Sequence, residues 1–82
     1  MDKIREILDK HGRMPVKAET LAPDQDLYAA GLTSFAAVQL MLALEDTFNI
    51  EFPERMLNRT SFATMQSISA CIQELSPGAL HS

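Results

Sequence analysis

The chain has 82 residues with 11 acidic and 7 basic side chains, which give a formal net charge of −4. This length fits one domain, and the 46% share of apolar residues is typical of a folded chain rather than a disordered one. An acidic chain is a poor ligand for nucleic acid, because phosphate binding needs a basic surface. One cysteine and two histidines can form neither an internal disulfide nor a zinc cluster.

No segment of the sequence predicts a membrane span or a secretion signal. The longest strictly apolar run, residues 40–44, is far shorter than the ~20 residues that a span needs, and the first residues mix charges without an apolar core. We therefore expect one cytoplasmic, monomeric domain over residues 1–82, with no membrane or nucleic acid as partner. Its ordered part should cover about 2–76, followed by a flexible tail at 77–82.

Acidic and basic residues are unevenly distributed along the chain. The segment 18–54 contains seven acidic residues and no basic one, so the rest of the chain is net positive. Two interpretations stay open: a solvated acidic face that aids solubility, or a surface that steers basic partners to one end of the molecule.

The first predicted element is an amphipathic helix over residues 2–11, which Gly12 ends. Its recurring inward positions are Ile4, Ile7, Leu8 and His11. A loop over 13–33 follows, because two prolines and Gly31 interrupt any regular period. A loop of this length is more often functional than idle, and a short turn is expected at 26–29. The apolar residues that should pin it across the helices are Val16, Leu21, Leu27, Tyr28 and Leu32.

The strongest helix signal covers residues 34–48, where Ala, Leu, Met, Gln and Glu dominate. Its apolar arc is wider than one buried stripe requires. Either this helix is central to a bundle, or part of its surface is left apolar for a partner. The residues of the arc are Phe35, Val38, Leu40, Met41, Leu42, Leu44 and Phe48.

Two further helices are predicted in the last third of the chain. A short helix over 53–58 begins at a proline, which suits a first helical turn. A last helix over 63–75 should be capped by Ser61 or Thr64 and ends before a Pro-Gly pair. The predicted class is therefore all-α: three main helices, a short third helix and a long first loop in a small bundle. The side chains that the short helix should bury are Met56 and Leu57.

Catalytic and metal chemistry find little support in the sequence. A serine or cysteine nucleophile needs a base such as histidine nearby, and neither His11 nor His81 stands in a motif with one. Cys71 fits a small buried side chain better than a reactive thiol. Asp24 begins an Asp-Gln-Asp pattern, but the later calcium ligands of an EF-hand are missing. We expect neither an enzyme nor a metal site.

The junction of the long loop with the helix over 34–48 holds the most informative hydroxyl groups. Gly31 permits a sharp turn, and Thr33 or Ser34 then lies at the helix start, where backbone N–H groups lack intrahelical partners. A hydroxyl there is most often a helix cap. The alternative is a modifiable hydroxyl, since a phosphate on Ser34 would lie at the positive end of the helix dipole and face free N–H donors.

Four segments at and after this junction form a pattern: Gly31-Leu32-Thr33-Ser34-Phe35, Val38-Gln39-Leu40, Leu44-Glu45-Asp46 and Phe48-Asn49-Ile50-Glu51-Phe52-Pro53. The pattern resembles the acyl carrier protein family over nearly the whole chain. In that family a serine at the start of the second helix carries 4′-phosphopantetheine, donated by CoA, and the thiol of this arm holds cargo as a thioester. The resemblance implies a four-helix carrier fold, attachment at Ser34 by a phosphopantetheinyl transferase and no catalytic activity.

One departure from the family pattern bears on the choice of partner. Fatty-acid carriers place acidic residues along the exposed ridge of the second helix, whereas this ridge contains Ala36, Ala37 and Gln39. Only Glu45 and Asp46, near its far end, are acidic. Fewer rim charges mainly slow association with a basic partner, which argues against a general role in fatty-acid synthesis.

The stretches 27–35 and 56–59 look closer to a smaller group, the stand-alone bacterial carriers that amino acid:carrier-protein ligases load. These ligases are similar to the core of a class II aminoacyl-tRNA synthetase, and the resemblance implies a small amino acid as cargo. Two alternatives stay open. One is a conventional acyl carrier of fatty-acid or polyketide-type biosynthesis with another acyl-loading enzyme; the other is an arm-less interaction module that uses Ser34 only as a cap.

A docking face for the partner enzymes is predicted around Ser34 and the short helix. It comprises Thr33, Phe35, Ala36, Gln39, Met41, Met56 and Arg59. For Met41 and Met56 the alternative is core packing, and for Arg59 it is a solvated charge. Weak, transient contacts suit a carrier that exchanges among several enzymes.

Overall fold

The structure, a computed structural model, describes residues 2–12 and 17–76, and all regular elements within these ranges are helical. The three α-helices are α1 (Asp2–His11), α2 (Ser34–Phe48) and α3 (Met65–Leu75), and single 3₁₀ turns lie at Ala18–Thr20, Glu54–Met56 and Thr60–Phe62. The predicted all-α class is confirmed. The tail at 77–82 and the expected anchor Val16 lie outside the described residues.

Helix α1 has the predicted bounds, and Gly12 follows its last residue. Its inward residues Ile4, Ile7 and Leu8 are buried in the hydrophobic core. The Gly12 N–H donates to the Leu8 carbonyl oxygen at 2.7 Å. A Cβ at this position would lie 2.7 Å from the same oxygen, so the close approach of the chain requires glycine.

Two charged residues of α1 fasten the long loop to the helix. Arg5 Nη1 donates to the carbonyl oxygens of Ala18 at 2.7 Å and Leu21 at 2.8 Å. In return, the Ala18 N–H donates to Asp9 Oδ1 at 2.8 Å. Buried backbone groups need such partners where a loop has no regular ladder, so these contacts hold the loop against α1.

Helix α2 covers the predicted residues, and its wide apolar arc is divided into a buried face and an exposed face. One face enters the core with Ala36, Ala37, Leu40 and Leu44. The other face is exposed, so the helix is both central to the bundle and partly apolar at the surface. The large exposed side chains of this second face are Phe35, Val38 and Leu42.

The carboxyl end of α2 is closed by hydrogen bonds. Asn49 adopts a left-handed conformation with φ 54°, and the Ile50 N–H donates to the Glu45 carbonyl oxygen at 3.0 Å. The Glu45 side chain is also engaged, because its Oε2 accepts a hydrogen bond from the Phe52 N–H at 2.8 Å. The backbone after α2 is thereby tied back to the helix.

At the short helix predicted over 53–58, the structure forms a shorter element, a single 3₁₀ turn at Glu54–Met56. Asn58 explains the interruption, since its Nδ2 donates to the Arg55 carbonyl oxygen and its Oδ1 accepts from the Ser61 N–H, both at 2.9 Å. These side-chain bonds compete with the helical ladder. Met56 is buried as predicted, whereas Leu57 is 49% exposed, contrary to prediction.

Helix α3 begins at Met65, two residues later than predicted. Thr64 is the cap, because its side chain accepts a hydrogen bond from the Ser67 N–H at 2.9 Å. Of the two predicted caps, the structure therefore selects Thr64. The buried residues Met65, Ile68 and Ile72 belong to the same core cluster as the inward residues of α1 and α2.

Candidate functional site

Ser34 is the first residue of α2, and its side chain is exposed. The loop that leads to it is held in place: the Leu27 N–H donates to the Ala63 carbonyl oxygen at 2.7 Å, and the Leu32 N–H donates to the Leu27 carbonyl oxygen at 2.9 Å. Gly31 has φ 119°, a conformation that favours glycine. The chain thus presents Ser34 from a fixed turn.

Thr33, and not Ser34, caps α2. Its Oγ1 accepts a hydrogen bond from the Ala36 N–H at 3.1 Å. Within 2–12 and 17–76, the Ser34 hydroxyl makes no hydrogen bond, and the backbone N–H groups of Ser34 and Phe35 have no acceptor. The structure thus assigns the cap to Thr33, and the arm-less alternative loses the capping role that it assigned to Ser34.

An apolar groove of about 210 Å³ lies beside Ser34, between α2 and the segment 57–62. Most of its wall is aliphatic or aromatic. The lining residues are Tyr28, Ser34, Ala37, Val38, Met41, Leu57, Asn58, Arg59 and Phe62. Such a groove, with a few polar groups at its edge, suits the binding of a partly apolar ligand.

Arg59 stands over the ring of Tyr28 at the edge of this groove. Its Cζ lies 4.1 Å from the centre of the ring, a cation–π contact. The neighbouring Arg55 is instead paired with Glu74 at an N–O distance of 3.2 Å. No sequence pattern predicts the stack, because its partners are far apart along the chain.

Four large apolar side chains form an exposed group that we call the apolar patch: Phe35 at 66%, Val38 at 49%, Leu42 at 50% and Leu57 at 49% exposure. Val38 and Leu57 also line the groove, so the patch begins at the groove edge. Exposed apolar groups of this kind commonly mark a surface for a partner.

The structure corrects part of the predicted docking face. Thr33, Phe35, Gln39 and Arg59 are exposed, and the half-buried Met41 lines the groove. Ala36 and Met56 are 2% and 4% exposed, so the prediction that they meet a partner is wrong for their side chains. Both belong to the core cluster. For Met56, core packing was the alternative interpretation that the sequence left open. Val38, Leu42 and Leu57 are exposed but were not included in the predicted docking face, and Leu57 was predicted to be buried.

Of the two acidic residues near the end of α2, Glu45 is engaged within the fold. Its carboxylate accepts a hydrogen bond from the Phe52 N–H, which leaves Asp46 as the exposed acid at this end of the helix. The free thiol of Cys71 is partly buried against the core.

The part of the chain that the structure describes contains no cluster of three side chains able to hold a metal ion. None of its helices is long and apolar enough to cross a membrane.

Comparisons with known proteins agree with this geometry. The family described as phosphopantetheine attachment site matches residues 2–72. The aminoacyl carrier protein of Agrobacterium fabrum is 52% identical over 75 residues, which cover 92% of this chain and 90% of that protein. The D-alanyl carrier protein of Streptococcus pyogenes is 40% identical over 53 residues, which cover 63% of this chain and 67% of that protein.

A solved structure is similar over most of the chain. It is the crystal structure of an engineered Bradyrhizobium japonicum glycine:[carrier protein] ligase complexed with a carrier protein from Agrobacterium tumefaciens and AMP. The matching chain is 53% identical with a TM-score of 0.86, and the match covers 88% of this chain and 96% of that one.

The fold and the exposed serine at a helix start are those of a protein that bears a prosthetic arm. The chain belongs to the phosphopantetheine-bearing carrier protein family. It is therefore a non-catalytic carrier, and its cofactor is covalently attached 4′-phosphopantetheine. The predicted family, carrier role and cofactor are confirmed. The site suits this group, because it offers a free hydroxyl, two unpartnered N–H donors and an adjacent groove.

Proposed function

We propose that Ser34 carries the 4′-phosphopantetheine arm and that the protein holds a small amino acid loaded by an amino acid:carrier-protein ligase. The observation that supports Ser34 most directly is its free hydroxyl, since Thr33 caps the helix in its place. The cargo is supported by the 52% identity to an aminoacyl carrier protein and by the similarity to a chain from a ligase complex.

Attachment requires from this chain an accessible hydroxyl and a favourable position for negative charge. Under a phosphopantetheinyl transferase, Ser34 Oγ forms a bond to the phosphorus of CoA that bears the pantetheine, and the P–O bond of the pyrophosphate breaks. The serine proton passes to a base of the transferase, and adenosine 3′,5′-bisphosphate departs. The N–H groups of Ser34 and Phe35 favour the resulting diester, because they lie at the positive end of the α2 dipole. Once attached, the arm supplies the terminal thiol that holds the amino acid as a thioester.

Partner enzymes dock, on this proposal, on the apolar patch together with the accessible residues around Ser34. Phe35 is the main anchor, because it is the most exposed aromatic side chain and follows the attachment residue directly. Aromatic anchors dominate many interfaces. The first turn of α2 contains no acidic residue, so apolar contact rather than charge holds the partner. The remaining members of the surface are Thr33, Gln39, Met41 and Arg59.

A cytoplasmic location is part of the proposal. The transferase draws on CoA and the ligase on ATP, and both compounds are abundant in that compartment. The single cysteine, Cys71, has no second cysteine for an internal disulfide, which is usual for cytoplasmic proteins.

The attachment residue is tested by co-expression with a broad-specificity phosphopantetheinyl transferase and measurement of intact mass. The native protein should gain the mass of one arm, and Ser34→Ala should gain none while its free energy of unfolding changes by less than about 0.5 kcal/mol. Ser69→Ala, which removes a hydroxyl from α3, is the matched control and should be modified fully. A native protein left unmodified by an active transferase contradicts the proposal.

The cargo is tested separately with the armed protein. It is incubated with ATP, candidate amino acids and candidate fatty acids in cell extract and then weighed. We expect a mass increase that matches a small aminoacyl group and disappears on treatment with hydroxylamine, which cleaves thioesters. A fatty acyl product without any aminoacyl product would contradict the proposed cargo and support a conventional acyl carrier.

A further inference from the structure

The groove beside Ser34 has a single charged side chain among its lining residues. Ser34 and Arg59 both contribute to the wall of this cavity of about 210 Å³. Attachment of the arm to Ser34 would place a permanent negative charge, that of the phosphodiester, at the edge of a groove whose charged residue is positive. The two groups therefore share one small space.

The contact with Tyr28 orients Arg59 and leaves its donors available. The Arg59 Cζ lies over the Tyr28 ring, 4.1 Å from its centre. A cation–π contact of this kind does not consume the N–H groups of the guanidinium, so they can still donate to an anion. Arg59 has no carboxylate within ion-pair distance among the residues that the structure describes, whereas Arg55 donates to both oxygens of Glu74.

The loop that presents Ser34 also fixes the ring on which Arg59 rests. The Tyr28 N–H donates to Asp26 Oδ1 at 2.9 Å, and the adjacent Leu27 is fully buried. The ring and the hydroxyl are therefore held by the same backbone. Charge favours the contact as well, because the segment 18–54 contains seven acidic residues and no basic one, and the phosphodiester would add to them.

We infer that Arg59 is a positioning residue for the arm: stacked on Tyr28, it donates hydrogen bonds to the phosphodiester on Ser34. This inference rests on the proposed attachment to Ser34. Arginine suits the task, because its planar donor pair matches two phosphate oxygens at once. The contact fixes the root of the arm and leaves its thiol end free to reach partner enzymes.

The test compares the armed native protein with Arg59→Met, which keeps the length of the side chain and removes its donors. The ³¹P resonance of the diester should shift between the two proteins. Arg55→Met is the matched control, since it removes an arginine of the same segment that is paired with Glu74, and its ³¹P resonance should equal that of the native protein. High salt should move the native resonance towards that of Arg59→Met, because it screens the contact.

A second measurement follows the arginine itself. In ¹⁵N-labelled protein, the Arg59 Nε–H signal should differ between the armed protein and the arm-free Ser34→Ala chain, whereas the Arg55 signal should not. Tyr28→Leu should abolish this difference, and Tyr28→Phe, which keeps the ring face, should retain it.

The outcomes separate this inference from the proposed function. If intact mass shows no arm on Ser34, the proposed attachment fails, and this inference fails with it. If the arm is present but native protein and Arg59→Met share one ³¹P resonance, only the role of Arg59 is overturned. An Arg59 signal that ignores the arm would overturn it equally.

Discussion

Leu42 and Leu44 lie two positions apart on α2 and have opposite surroundings. Leu44 is fully buried in the core, whereas Leu42 is 50% exposed within the apolar patch. Both residues favour a helix to the same extent, so neither propensity nor composition separates them. Helix α2 therefore has two apolar faces: one packs in the core and stabilises the fold, and the other is exposed and adds little to stability.

The largest expected effect distinguishes these two leucines. Leu44→Ala should lower the free energy of unfolding by about 2–5 kcal/mol, because it leaves a cavity in the core. Leu42→Ala should cost less than about 1 kcal/mol, since half of this side chain already contacts water. Urea unfolding followed by circular dichroism measures both values. Equal costs would show that the two faces do not differ in the way the structure describes.

A smaller effect is expected from the exposed face during loading. Phe35→Ala should raise the KM of the ligase for the armed carrier about 5- to 10-fold, because a central aromatic anchor is removed from the interface. Its stability should remain close to native, and intact mass should show that excess transferase has armed it fully before the ligase assay. Gln73→Ala, an exposed substitution on α3, is the control. A KM that is unchanged for Phe35→Ala would place the docking face elsewhere.

The smallest effect concerns the two neighbouring hydroxyl groups. Thr33→Ala should lower the free energy of unfolding by about 1 kcal/mol, the usual cost of a lost helix cap, and should leave arm attachment intact. Thr33→Ser should restore most of this loss. Ser34→Ala should show the reverse behaviour, with no arm and native stability. Denaturation combined with intact-mass measurement would reveal any exchange of these roles.

The positions of the main helices could be predicted from the sequence because local signals agree there. Helix α2 combines strong helix formers with a threonine that caps its first turn, and α1 ends where only glycine fits above Leu8. The short third helix is shorter than predicted because Asn58 diverts backbone groups to its own side chain, a competition that propensity does not reveal.

The site was only partly predictable for a related reason. Ser34 stands out in the sequence through its place at a loop–helix junction, and the structure adds that Thr33 caps that helix. The exposure of Leu57, the burial of Ala36 and the stack of Arg59 on Tyr28 depend on how distant segments pack. Helical period shows that residues share a face, but it does not show which face meets the core.

The hydrogen bonds of Arg5, Asp9 and Leu27 have a consequence for the cargo. They brace the long loop against α1 and against the segment before α3, so the backbone around Ser34 has little freedom to swing. The volume that the cargo can sweep is then determined by the length of the arm and not by movement of the protein. Each enzyme that meets this carrier finds the arm anchored at the same point on its surface.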